Sequence, residues 1–443
     1  MVKKPEPAPA NVAESDAFHS LLRMLNEGAL ASIIQRANEE YLYWDKVKYL
    51  ELPEEVSPKE MWLVLKAARL LNRRSTPIID LHGHEFWYSL ADSIQRRLMV
   101  IDQQAGRTIG STISSIPPDT KQRYLLSNLM EEAWASSQLE GAATTRRVAK
   151  DMLRSGRQPV SRGELMIANN YRTIRTITSL LDEPLTPALL LTLQASLTEG
   201  TVKDPGDVGR FRRTDEDIVV GDGFGRIVHV PPPAVRIPEE LERLCDYANS
   251  EGSGFVHPII KACLLHFWLA YVHPFCDGNG RTARALFYLH ALKSGFWLIE
   301  YVAISRVILK QRSRYERAFL YSESDDADCT YFLAFHLRAI EQALNELWDY
   351  MERKSREDEL LRARLHSEGG LNYRQRAVLT RALKDGTAQF TIESHKASHD
   401  VSYGTSRNDL LDLVNRGYLT QERRGRRTYV FYPAPDIRER IQH

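Results

Sequence analysis

Between His273 and Arg284 the sequence runs HPFCDGNGRTAR, and nearly every residue type in that stretch has a use in phosphate chemistry. Gly278 and Gly280 strip side chains from both sides of Asn279, so backbone N–H groups can turn inward as an anion-binding nest. The nest leads into a helix predicted to begin near Arg281, and a helix N-terminus favours phosphate. Arg281 and Arg284 would share a face of that helix, where guanidinium groups can fork onto phosphate oxygens. Asp277 offers a hard oxygen beside the nest. That suits Mg²⁺, which takes one or two carboxylates together with substrate phosphates. His273 is the group whose ordinary pKa lies near neutrality, which makes it the candidate general base for an incoming hydroxyl. Together these residues predict a site that grips a polyphosphate tail and activates a nucleophile beside it.

The surrounding patterns say what must hold these groups in place. An apolar run, Ala262 to Val272, precedes the stretch and a helical pattern, Ala285 to Leu292, follows it, so the motif is a loop between two helices with Phe275 as its core anchor. Upstream, Pro117 to Ala149 reads as one helix broken at Gly141, with Ser136 and Glu140 on a single face. Between the two lies a change to period two. Asp217 to Val220 and Arg226 to Val230 flank a Gly-rich tip, Gly221 to Gly225, and Pro231, Pro232 and Pro233 end the second run, which predicts a β-hairpin. Downstream, ISRVILKQRSRYERAFLYSES reads as a further helix.

The twelve-residue stretch resembles the Fic family signature, HPFx(D/E)GNGRxxR, and meets it at His273, Pro274, Phe275, Asp277, Gly278, Asn279, Gly280, Arg281 and Arg284. The resemblance covers about half the chain and implies a protein adenylyltransferase, with AMP passing from ATP to a Ser, Thr or Tyr hydroxyl of a target protein. His273 would take the hydroxyl proton, Asp277 would hold Mg²⁺, Gly278 to Gly280 would cradle phosphates, and Arg281 and Arg284 would grip the β and γ groups. Doc-like relatives carry Lys where this chain has Gly280, so Gly280 favours AMP transfer over phosphate transfer. Ser136, Glu140 and Gly141 resemble the family's inhibitory motif (S/T)xxxE(G/N), which implies that Glu140 pairs with Arg284 and keeps the γ-phosphate out. The hairpin matches the family's flap, whose residues here are Ile218, Val219, Val220, Ile227 and Val228, aligning a target segment as an added strand. Gln311 and Tyr315 fall where the family has residues near the adenine. Two other functions stay open. One is a hydrolase that uses Glu140 to orient water and remove AMP from a modified target. The other is a nucleotide-sensing, DNA-binding regulator.

Composition bounds the rest. The chain has 443 residues, 43% hydrophobic and 26% charged, with net charge +1, which is the profile of a soluble globular protein without a global pull toward nucleic acid or membrane. Cys245, Cys263, Cys276 and Cys329 lack paired metal-site spacing, and Cys276 reads as a bystander thiol. The N-terminal lysines are followed by no apolar core, so residues 1–16 are expected to be a disordered leader rather than a signal peptide, and a cytoplasmic location is expected. Residues 17–114 are expected to form a helical region without chemistry, its aromatic cluster Tyr41, Tyr43, Trp44 and Tyr49 serving as packing. Residues 115–345 form the expected Fic-like catalytic domain, and 346–370 a charged helical linker with a face for pairing into a homodimer. Residues 371–443 read as three helices and a hairpin around Arg424, Gly425 and Arg426, which resembles a winged helix-turn-helix. That segment has 13 Lys and Arg against 8 Asp and Glu. Its partner is open between DNA and protein. The expected fold is mainly α: a Fic-like helical bundle with a β-hairpin flap and a C-terminal winged helix domain.

Overall fold

The structure, a computed structural model, describes residues 4–9, 28–54, 56–105, 118–221, 225–250, 254–367, 369–424 and 428–442. The leader beyond residue 9, the start of the expected N-terminal helical region, the hairpin tip at 222–224 and Gly425 and Arg426 lie outside the described residues. The chain divides into two units, Met1–Leu347 and Trp348–His443.

The first unit is helical with two small hairpins. Helices α1 (Gly28–Glu39), α2 (Trp44–Val47) and α3 (Pro58–Leu71) open it. The start of α3 is fixed by a capping box between Ser57 and Glu60 with Pro58 in the first turn, a cap that contributes about 1 kcal/mol. The region 17–114 was expected to be helical, but the structure places an antiparallel hairpin here, β1 (Arg73–Ile79) and β2 (Glu85–Ser89), before α4 (Asp92–Ala105). The local cause is visible in the sequence. Thr76, Ile78 and Ile79 are β-branched, Pro77 cannot sit inside a helix, and Gly83 turns the chain at φ 86°.

This N-terminal part is fastened to the later helices by buried charge. Lys66 lies 2.9 Å from Asp325, the Tyr41 hydroxyl donates to Asp328 at 2.6 Å, and the Tyr331 hydroxyl donates to Asp325 at 2.7 Å. Trp87 adds backbone bonds to Ala327 and Cys329, extending the strand onto the loop. The aromatic cluster packs as expected, with Tyr43 stacked 4.3 Å from Tyr321. Tyr49 is the exception, standing 76% exposed.

The remaining helices are α5 (Pro118–Leu139), α6 (Arg146–Ser155), α7 (Arg162–Ile177) and α8 (Pro187–Thr198), then α9 (Ile237–Asn249), α10 (Pro258–Val272) and α11 (Asn279–Lys293). They are followed by α12 (Ile304–Lys310), α13 (Arg312–Ser324) and α14 (Thr330–Ser367). The hub is α10. It is apolar on every side, and nearly every residue from Ile259 to Val272 is buried, as befits a helix surrounded by others. The flap is a short antiparallel pair between α8 and α9, β3 (Val220–Gly221) and β4 (Ile227–His229). Ile218 and Val219 fall outside its strands, because only Val220 and Gly221 find ladder partners.

The second unit runs α15 (Tyr373–Lys384), β5 (Phe390–Thr391), α16 (Ile392–His399), α17 (Tyr403–Asn415), β6 (Leu419–Arg424), β7 (Thr428–Pro433) and α18 (Ile437–Gln442). Its sheet has the order β5-β7-β6. Asp409 pins α17 to the other helices, accepting from Arg374 at 2.6 Å and Asn372 at 2.7 Å, with His395 at 3.2 Å. No helix among the described residues is long and apolar enough to cross a membrane.

Candidate active site

The loop from His273 is set by two backbone positions and one buried ring. His273 ends α10 in the left-handed region, φ 50° and ψ 57°, a conformation costly for a residue with a β-carbon and kept only where the surroundings over-determine it. Phe275 is fully buried and lies 5.6 Å from Phe211, an anchor whose burial contributes about 2 kcal/mol. Gly278 turns the chain at φ 89° and caps α11, which starts at Asn279 rather than near Arg281.

His273 is prepared as a base. Its Nδ1 lies 3.2 Å from the Ala270 carbonyl, an acceptor, so the hydrogen sits on Nδ1 and the Nε2 lone pair is left for a substrate proton. Burial lowers its pKa to about 4; the Ala270 carbonyl and Glu140 oppose that shift, and His229 and Arg212 add to it. The imidazole is therefore neutral, and able to accept, at physiological pH.

Arg284 is occupied. Its Nε donates to Ser136 Oγ, and its Nη2 donates to the Ser136 carbonyl and to Glu140 Oε1, each at 2.9 Å. Glu140 stands just past the end of α5, where Gly141 reverses the chain at φ 87°. Burial works to raise the Glu140 carboxyl, but Arg284 and then Arg281 outweigh it and hold the group below the usual carboxylate range. Glu140 also explains Gly280. That residue lies in the first turn of α11, not in the loop, and a β-carbon there would collide with Glu140 Oε1.

Other residues expected at the phosphates are turned inward. Asn279 is buried and staples the loop, its Oδ1 accepting from Phe275 N at 3.0 Å and its Nδ2 donating to Phe275 O at 2.8 Å. Arg281 is 1% exposed, donating to the Leu197 carbonyl at 2.8 Å and to Asp277 Oδ1 at 3.1 Å. It does not share an open face with Arg284, because its guanidinium is spent inside the protein. Asp277 is 36% exposed, and its Oδ2 has only a long 3.4 Å contact from Arg162. One carboxylate oxygen is thus available for a hard cation that completes its shell with phosphate, which fits Mg²⁺.

A cavity of about 640 Å³ opens above these groups, large enough for a nucleotide-sized ligand. Glu140, His273, Gly280, Tyr315, Val220 and Val228 line it. Ile227 lines a second groove of about 290 Å³ on the other side of the flap. Gln311 lines neither: it sits at the break between α12 and α13 and donates to Gln342 at 2.9 Å. Tyr315 instead presents its ring, with its hydroxyl 3.0 Å from His266 Nε2. Burial lowers the His266 pKa well below the ordinary imidazole value, so its neutral Nε2 accepts from the Tyr315 hydroxyl.

Sequence reasoning missed Arg312, Glu316, Phe319 and Glu323, which share the cavity face of α13 with Tyr315. Their three- and four-residue spacing was the signal. It also missed His229 and Tyr271, whose partners are distant in sequence. Cys276 donates to Glu216 at 3.3 Å; burial and that carboxylate push its pKa up to about 12, so the thiol is inert. Asp207 and Glu216 beside it are both ion-paired to Arg210, which offsets one of their two charges.

The fold and site define a helical domain in which a buried histidine, a glycine-containing loop and a short hairpin meet at one cavity. Residues 184–291 match the family described as Fic/DOC, and the chain carries a domain of that family. A protein named protein adenylyltransferase Fic from Nematostella vectensis is 30% identical over 141 residues, which is 32% of this chain and 29% of that protein. Protein adenylyltransferase fic-1 from Caenorhabditis elegans is 41% identical over 93 residues, 21% of this chain and 17% of that protein. The chain thus spans under a third of the length of these curated relatives. A crystal structure of a Fic family protein from Desulfovibrio desulfuricans shares the fold, with TM-score 0.55 and 21% identity over 79% of this chain and 98% of that one.

Proposed function

We propose that the chain is a protein adenylyltransferase that moves AMP from ATP to a Ser, Thr or Tyr hydroxyl of a target protein and is held back by Glu140. The observation that carries this reading is the pairing of a neutral His273, its Nε2 free, with an Arg284 already filled by Ser136 and Glu140 at one cavity. The target hydroxyl gives its proton to His273 Nε2 while its oxygen attacks the α-phosphorus. The bond from that phosphorus to the bridging oxygen breaks, and pyrophosphate leaves. Mg²⁺ held by Asp277 would offset charge on the phosphates. Backbone N–H groups at the start of α11 would orient them, and Tyr315 and Phe319 give the cavity an aromatic wall for a base. Catalysis of this kind is positioning and charge stabilisation. Exposed flap residues Val219 and Ile227, at 46% and 54%, offer apolar contacts to a target strand.

Label from α-³²P-ATP tests the reading. Incorporation rises in Glu140→Gly and disappears in Glu140→Gly with His273→Ala; no label in any variant while nucleotide still binds overturns it. A reverse reaction, hydrolysis of AMP from a modified target, is favoured by Glu140 and His273 lining the same cavity, and AMP release without ATP would identify it.

The second unit we read as a winged helix that binds duplex DNA. In support, α16 and α17 are joined by a three-residue turn, and Arg407 and Asn408 are exposed on α17 with no side-chain partner among the described residues. The acids of α17, Asp409 and Asp412, are taken up by Arg374 and Arg416. Duplex binding by the full chain that weakens as salt rises is the expected result; its absence leaves a protein partner.

A further inference from the structure

One side chain ties the flap to the catalytic loop. His229 ends β4 and is 8% exposed. Its Nδ1 lies 2.8 Å from Glu323 Oε2 on α13, and its Nε2 lies 2.8 Å from the Tyr271 carbonyl in the last turn of α10, two residues before His273. Both partners only accept: a carboxylate carries no hydrogen near neutrality and a carbonyl never does. Satisfying both therefore requires hydrogen on both ring nitrogens. A neutral ring would serve one and leave the other acceptor unpaired in a buried place, which is costly.

Other groups around the ring are arranged consistently with a positive charge. Tyr271 stacks obliquely, with ring centroids 5.1 Å apart. Arg212 lies nearby but is committed to backbone, donating to His273 O at 2.8 Å, to Val272 O at 3.3 Å and to Pro232 O. Lys4, Asp80 and His82 line the outer groove together with His229, and His273 faces it from the cavity side. Burial and Arg212 push the imidazole toward neutrality. The Glu323 carboxylate and the Tyr271 carbonyl outweigh them and raise its pKa above the ordinary value.

We propose that His229 is a positioning residue: as an imidazolium it locks the flap onto the end of α10 beside His273, and its deprotonation unlocks the flap and sets the alkaline limit of AMP transfer. The inference rests on the adenylyltransferase reading for its activity arm. His229 touches no reacting atom. Its sign follows from the raised pKa: the lock is complete below the ordinary imidazole range and is lost as pH rises through the higher folded value.

The test uses the full chain with ¹⁵N-labelled histidine and, in the Glu140→Gly background, label from α-³²P-ATP across pH 6 to 9.5. Wild-type His229 should show both ring nitrogens protonated at pH 7, and its titration should coincide with the falling limb of incorporation. Glu323→Gln removes the charge that holds the proton and should move that limb to lower pH by about one unit. His229→Gln keeps one donor and should lower incorporation about tenfold, abolish the limb and leave affinity for a fluorescent ATP analogue unchanged. A neutral His229 ring at pH 7, or a limb that Glu323→Gln does not move, overturns the proposal. If no variant incorporates label, the transferase reading fails, and the ring titration with hydrogen exchange at Val220 and Val228 still decides whether the lock exists.

Discussion

His273 and His229 occupy one cleft and are pushed in opposite directions. His273 makes one hydrogen bond, to a carbonyl, and burial drives it to the neutral form. His229 is as well enclosed, but it stands between a carboxylate and a carbonyl, and these raise its pKa above the ordinary value. The two are coupled, since the charge on His229 helps to keep His273 neutral. Enclosure alone therefore does not decide the state of an imidazole; the number of acceptors facing its two nitrogens does. One ring is left able to take a proton, and the other gives its proton up only at a higher pH than an ordinary imidazole.

The sharpest way to break this comparison is His273→Ala in the Glu140→Gly background. Loss of a general base should lower incorporation by about 10²–10⁴-fold while nucleotide affinity holds, and a smaller loss, measured with α-³²P-ATP, would move the base elsewhere. Glu140→Gly comes next. Freeing Arg284 should raise incorporation by about 5–150-fold, the usual size of coupling between competing ligands. It should also move the acid limb of the pH profile slightly lower, because Glu140 raises the His273 pKa toward its ordinary value. The third effect is on stability rather than rate, at Arg212, which ties the backbone of both histidine regions together. Arg212→Ala leaves three carbonyls short of a donor and should cost about 2–4 kcal/mol in urea unfolding; an unchanged midpoint would mean the flap and loop are held independently.

How much of this could be read from the sequence depended on whether the partners were close in the chain. The loop from His273 to Arg284 concentrates its chemistry in one contiguous stretch, and the helix break at Gly141 and the flap hairpin were legible from glycine placement and period. What that stretch could not show was direction. Arg281 and Asn279 have the right types for phosphate, yet their partners, the Leu197 and Phe275 carbonyls, are set by packing. The hairpin β1–β2 carried its own local signals in Thr76, Pro77 and Ile78, outweighed in the sequence reading by the helical pattern around it. His229 gave no local signal, because its meaning lies in Tyr271 and Glu323, which only the tertiary fold brings to it.

Gly280 carries a consequence for how such a chain can change. The hydrogen that serves as its side chain leaves the space Glu140 Oε1 occupies, so a larger residue at 280 must push the Glu140 carboxylate from its place against Arg284. Substitutions at the two positions are therefore epistatic: one that disturbs the native protein at 280 becomes tolerable once Glu140 is gone. A lineage drifting toward a long side chain at this position would have to give up the Glu140–Arg284 contact first.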